Sequence, residues 1–208
     1  MENGRVYWSN WMGLIDLTSS VQIQRGLGST SLAVPSAGGT VSVNTRAAEV
    51  DPGSGIKMSI GDNSYQKFTA FHNTGVNELG WSSSFLLGFW QGDGWRNGMQ
   101  GEGTTYAFSV GYTPRGGNHE FNFSLIGAGQ WHHQAYYGTQ LQDYLDYGPI
   151  QGDDYRKFNA LYGDYRGEEF SILRNYYNKP LATFNWDWEI SSRVTLATSL
   201  YGSAGRGG

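Results

Sequence analysis

From Ile56 onward, apolar and polar positions alternate with a period of two, the pattern that sends successive side chains to opposite faces of a β-strand. In TTYAFSVGYT, Tyr106, Phe108, Val110 and Tyr112 fall on one face and Thr105, Ala107, Ser109 and Gly111 on the other. In HEFNFSLIGAGQW, Phe121, Phe123 and Leu125 alternate with Asn122 and Ser124. In ATFNWDWEI, Phe184, Trp186, Trp188 and Ile190 oppose Thr183, Asn185, Asp187 and Glu189. Further strands are expected at about 56–61, 65–75, 79–92 and 193–203, giving an all-β chain of about seven antiparallel strands in a curved, open sheet.

The connections alternate in length. Tight turns are expected at NE (77–78), PRGGN (114–118) and SS (191–192), with longer segments at the other end of the sheet, where only DNS (62–64) is short. Between about 135 and 179 the alternation stops. That stretch holds Tyr136, Tyr137, Tyr144, Tyr147, Tyr155, Tyr162, Tyr165, Tyr176 and Tyr177, and a long irregular insertion so rich in rings is expected to be ordered and functional. Short turns at one end, long loops at the other, an apolar face and a polar face are the features of an outer-membrane barrel. A soluble β-sandwich alternates in the same way. Rings expected at strand ends on the apolar face (Trp81, Trp90, Trp131, Trp186 and Tyr112) resemble an interfacial girdle and favour the barrel.

Composition points the same way. Charged residues are 15% of the chain, against about 25% in ordinary soluble domains, and 31 of 208 residues are glycine. Eight Trp, fourteen Tyr and ten Phe add amphipathic rings suited to a ligand surface or a membrane interface. A net charge of −4 gives no sign of nucleic-acid binding. Cysteine is absent, which removes disulfides and thiolate metal sites. No apolar run approaches the length of a transmembrane helix, a test that β-strand spans escape, and the first twenty residues lack the pattern of a secretory signal.

The segment QRGLGSTSLAVPSAGGTVSVNTR (24–46) places a glycine- and serine-rich loop between two strand-like pieces, VQIQ and TVSV. It has no GK[ST] and returns into a strand, so it is not a phosphate-binding loop. Val21 and Ile23 alternate with Gln22 and Gln24, and Val41 and Val43 with Ser42 and Asn44, so the two pieces are expected to share a small buried face.

VQIQRG, this loop, and GGTVSVNT followed by alternating strands closely resemble the end of the plug domain and its passage into the barrel in TonB-dependent outer-membrane receptors. GDGWR (92–96) and RNYYNKP (174–180) resemble a barrel strand end and an external-loop exit of the same family. The resemblance implies an internal fragment: residues 1–46 from the end of the plug, a linker at 47–55, and the first barrel strands at 56–208 with an external loop at about 135–179. It implies a barrel of about 22 strands filled by a plug. It also implies capture outside the cell of a scarce ligand (an iron chelate, cobalamin or an oligosaccharide) and import driven by TonB through a plug segment this chain lacks. Arg25 is implied as the arginine that locks plug to barrel glutamates.

On this basis Phe108, Val110, Phe121, Phe123, Phe184 and Trp186 are expected to face outer-membrane lipid, and Trp95, Arg96, Tyr136, Tyr137, Tyr144 and Tyr147 to contact ligand. His132 and His133 are adjacent and should diverge across a strand rather than chelate together. Asp153/Asp154 and Glu168/Glu169 lack the EF-hand ligand order. No nucleophile and base stand out, so no enzyme, cofactor or catalytic residue is expected. The alternative is a soluble or surface aromatic-rich β-sandwich that binds carbohydrate.

Overall fold

The computed structural model describes residues 18, 20–26, 39–136 and 138–208. The described residues form thirteen strands: β1 (Ser20–Arg25), β2 (Gly39–Asn44), β3 (Gly53–Ile60), β4 (Gln66–Asn73), β5 (Trp81–Gly92), β6 (Gly101–Tyr112), β7 (His119–His133), β8 (Tyr162–Tyr165), β9 (Glu168–Ser171), β10 (Arg174–Asn178), β11 (Leu181–Ser191), β12 (Val194–Ser203) and β13 (Arg206–Gly207). An α-helix, α1 (Leu141–Gln151), is inserted between β7 and β8. A single antiparallel sheet runs β12-β11-β7-β6-β5-β4-β3, so nearly every strand lies beside its neighbour in sequence. β3 and β12 are its edges, and among the described residues no closed barrel forms.

All seven strands expected from alternation are present, with shifted ends. β3 begins at Gly53, inside the stretch expected to be linker, and a 3-10 turn at Ala47–Glu49 occupies another part of it. β10 and β11 are one strand broken at Pro180. Tyr177 pairs with Gln130 and Leu181 with Ile126, the same register on both sides of the break. Proline donates no ladder hydrogen bond and biases Lys179 before it, so the assignment lapses although the path continues. The insertion therefore ends near Leu173 rather than at 179. It is also less irregular than the sequence implies, since it contains α1 and the β8–β9 hairpin.

Register sorts the side chains of the large sheet into two faces. Val110 pairs with Phe123, Phe123 with Phe184, Phe121 with Trp186, and Phe108 with Leu125, so the six residues expected on one face share it. This outer face also carries Ile56, Met58, Phe85, Leu87, Phe89 and Leu200, all exposed. Trp90 does not belong to it. It pairs with Gly103 and Lys67 on the opposite, inner face, because its position has the parity of Ser84 and Leu86 rather than of Phe85 and Phe89. An added Cβ at Gly103 would sit 2.5 Å from Trp90 Nε1, so only glycine there lets the indole lie on the strand.

The inner face is small and polar, and it is buried. Ser82, Ser84, Ser109, Asn122 and Ser124 are each at most 3% exposed, around a short apolar centre of Leu86, Ala107 and Ile126.

The β1–β2 ribbon also departs from expectation. Val21 pairs with Val43 and Ile23 with Val41, so the apolar side chains share one face, but all four are exposed.

Candidate functional site

Three groups of side chains on and above the inner face could carry function. The first ties the segment before β3 to the sheet. Asp187 and Glu120 are register partners on β11 and β7, which places two carboxylates side by side on the inner face. Arg46 Nη1 donates to both, at 2.5 Å to Asp187 and 2.9 Å to Glu120. Burial works against the Arg46 charge, but the hydrogen bonds to Asp187 and Glu120 outweigh it and hold the guanidinium above its ordinary range. One residue on, the Ala47 amide donates to Asn122 Oδ1 at 3.3 Å, and Asn122 is bonded in turn to Ser109 and Ser124. Arg25, the residue expected to make such a lock, lies exposed at the end of β1, and none of the ion pairs among the described residues involves it.

The second group is a cavity of about 300 Å³ at the end of the sheet that carries the long insertion. It is lined by Asp62, Asn63, Tyr65, Trp90, Met99 and His132 with glycines 92, 94 and 101 between them. Gly92, Gly101 and His132 are a row of register partners across β5, β6 and β7, and Trp90 stands next in line on β5. The Asp62–Ser64 turn is tight because Asn63 and Ser64 both take left-handed backbone angles, φ 57° and 56°. The Asp93 amide donates to the Asn63 carbonyl at 2.8 Å and pins this turn to the end of β5.

The third group folds the insertion onto the sheet. Asn159 is fully buried; its Nδ2 donates to the carbonyls of Asn97 and Gln134, and its Oδ1 accepts from the Leu161 amide. Gln151, at the end of α1, bonds the backbone of Asn159 and Tyr162. α1 starts where Asp143 accepts from the Gln140 amide and ends shortly after Pro149. Gly148 lets the Tyr155–Lys157 turn touch the helix, since a Cβ there would lie 2.7 Å from that of Tyr155.

Of the residues expected to bind ligand, Arg96, Tyr136 and Tyr144 come together: Arg96 Nη1 donates to the Tyr136 carbonyl at 3.0 Å and its guanidinium lies 5.8 Å from the Tyr144 ring centre. Tyr144 and Tyr147 pack against Phe158, which is buried, so both rings have structural work. Trp95 is exposed, and Tyr137 lies outside the described residues. Alternation on β6 and β5 could have placed Trp90 and the glycine row; Tyr65, Met99 and Asp62 lie in or beside turns and carried no signal.

His132 and His133 do fall on opposite faces: His132 enters the cavity, while His133 bonds the Gly98 carbonyl and lies near Trp131. Asp154 caps the Tyr155–Lys157 turn, and the hydrogen bonds from Arg156 hold its carboxyl below the usual range. Glu168 and Glu169 sit in β9 opposite Tyr165 and Asp164, and burial followed by the Glu169 hydrogen bond pushes the Tyr162 phenol up.

Comparisons with family models, with curated proteins and with solved structures each find no match to this chain.

Proposed function

We propose that the chain is the late-plug and early-barrel portion of a TonB-dependent outer-membrane receptor, a transporter that captures a scarce ligand outside and imports it to the periplasm. One observation carries this reading. The sheet is inside out for a protein in water: its small polar face is buried, while Phe85, Leu87, Phe89, Phe123, Phe184 and Leu200 stand 37–67% exposed on the other. A water-soluble half-buried sheet hides its apolar face instead. An apolar patch of this extent exceeds what monomers expose, and lipid is the solvent that suits it.

Two further features support the same reading. At the short-turn end, Trp81, Tyr112, Phe121, Trp186 and Trp188 form a near-continuous row of rings, with neighbouring centroids 4.5–6.4 Å apart, as an interfacial belt requires. The Arg46 clasp anchors the pre-sheet segment to the inner face, where a plug belongs. The carbohydrate-binding sandwich needs a second sheet over the apolar face, and the other sheets among the described residues have two strands each.

The test is tryptophan quenching by lipids brominated on their acyl chains, with the chain folded into mixed lipid–detergent micelles. Strong quenching is expected, reduced in the Trp81→Phe/Trp186→Phe double variant. A detergent-free monomer that unfolds cooperatively and escapes quenching would refute the membrane assignment.

A further inference from the structure

On the strands of the large sheet, fixed charge on the outer face is confined to one corner. Parity places Glu102, Arg174 and Arg206 on that face, and all three lie where β6, β7, β10 and β13 meet at the end that carries the long insertion. We infer that this corner docks the anionic phosphate of a phospholipid headgroup. The inference rests on the lipid-facing reading of the outer face and adds to it a partner and a place.

The seat is a notch on β7. Gly127 and Gly129 hold consecutive outer positions between Leu125 and Trp131. Tyr106 lies across Gly127, where an added Cβ would sit 2.3 Å from its ring. Gly129 is open, with nothing nearer than 3.4 Å to the Cβ it lacks. Its walls are polar. Thr104 is its partner on β6, and on β10 the Asn178 Oδ1 accepts from the Tyr106 hydroxyl at 3.4 Å, which leaves Nδ2 to donate outward.

Two guanidiniums flank the notch. Arg206 is the cross-strand partner of Asn178, is exposed, and takes part in none of the ion pairs among the described residues. Arg174 stacks 4.2 Å over the ring of Trp131, the next outer residue after Gly129. Stacking leaves the edge of its planar fork, and so its N–H donors, free to meet an anion. Glu102, the one carboxylate on this face, is engaged by Trp131 Nε1 at 2.8 Å. Two cations against one carboxylate favour an anion, and arginine pairs with phosphate through two parallel hydrogen bonds.

Position selects a lipid phosphate over a free one. Gln66, Gln91, Glu102, Trp131 and Tyr176 are successive register partners from β4 to β10 and close the apolar band with polar groups. Gly129 lies one row inside them, at the depth where a lipid-facing arginine costs far less than at the midplane. Beyond Tyr106 the same face continues as Phe108 and Leu125. A phosphate seated at Gly129 therefore has apolar side chains along which its acyl chains can lie.

The experiment folds the chain into mixed micelles of nonionic detergent and phospholipid and counts retained lipid by native mass spectrometry. The probes are phosphatidylglycerol, phosphatidylcholine and soluble glycerol phosphate. Phosphatidylglycerol is expected to be retained over phosphatidylcholine, and glycerol phosphate not at all. Arg174→Gln and Arg206→Gln should each lower that preference about tenfold with circular dichroism unchanged. Arg193→Gln, in the turn between β11 and β12 at the other end of the sheet, should leave it intact. Equal retention of the two lipids, glycerol phosphate held as tightly as lipid, a preference that survives the Arg174→Gln/Arg206→Gln double variant, or an equal loss in Arg193→Gln would each overturn the site. Quenching by brominated acyl chains without headgroup preference would remove the site and leave the receptor. An arginine-dependent preference without quenching would leave the site standing on a chain that meets only the membrane surface, and would sink the receptor.

Discussion

Arg46 holds two carboxylates that would otherwise repel each other, since Asp187 and Glu120 are direct cross-strand partners on the inner face. Removing it leaves both acids partly buried without a counter-charge. Arg46→Ala should therefore destabilise the chain by about 1–3 kcal/mol, less than a fully buried pair would lose because each partner is still 23–31% exposed. Restoring most of that loss in Arg46→Ala/Glu120→Gln/Asp187→Asn, measured by denaturant unfolding, would identify repulsion as the cause; no restoration would mean the arginine acts through packing alone. Nothing in the period-two pattern could have singled out Arg46 for this clasp. Alternation puts Glu120 and Asp187 on polar faces, but their pairing joins strands separated by the whole insertion, which is long-range information. Trp90 is the opposite case. Its parity against Phe89 was readable, and grouping it with the girdle because it is a ring near a strand end obscured that.

The elements divide along the same line between local and distant causes. The strands of the large sheet were legible because each keeps one face apolar and the other small, a signal that repeats every two residues. The insertion was not, because what orders it is a set of side chain to backbone bonds with no period: Asn159 to Asn97 and Gln134, Gln151 to Asn159 and Tyr162. Two of its tyrosines, Tyr144 and Tyr147, pack from α1 against Phe158. Asn159 is the centre of that clamp. Asn159→Ala strands two carbonyls and an amide in a buried setting and should cost about 2–4 kcal/mol of local stability. Trypsin should then cut at Arg156 and Lys157 much faster, while amide exchange in β5, β6 and β7 stays at the wild-type rate. Accelerated exchange in those three strands would show that the insertion and the sheet unfold as one unit.

At the scale of the whole molecule, everything turns on which solvent meets the outer face. The composition, low in charge and high in rings, leaned toward lipid; the burial of Ser84 and Ser124 beside the exposure of Leu87 and Leu200 strengthens that argument, because alternation alone could not say which face was covered. Leu87 separates the two solvents cleanly. It sits near the middle of β5, between Ala70 and Tyr106 in the neighbouring strands, and is 67% exposed. If water covers that face, Leu87→Arg changes stability by no more than about 0.5 kcal/mol, as at other surface positions. If hydrocarbon does, an arginine close to the bilayer midplane costs about 2–4 kcal/mol. Leu79, in the tight turn between β4 and β5, is as exposed but lies at the sheet's end, where the same substitution should cost only about 0–1 kcal/mol. Urea unfolding of both variants in phospholipid vesicles measures the difference, and a loss confined to Leu87→Arg is the expected result. Equal, small effects at the two positions would place water against both and remove lipid as the explanation for the exposed rings.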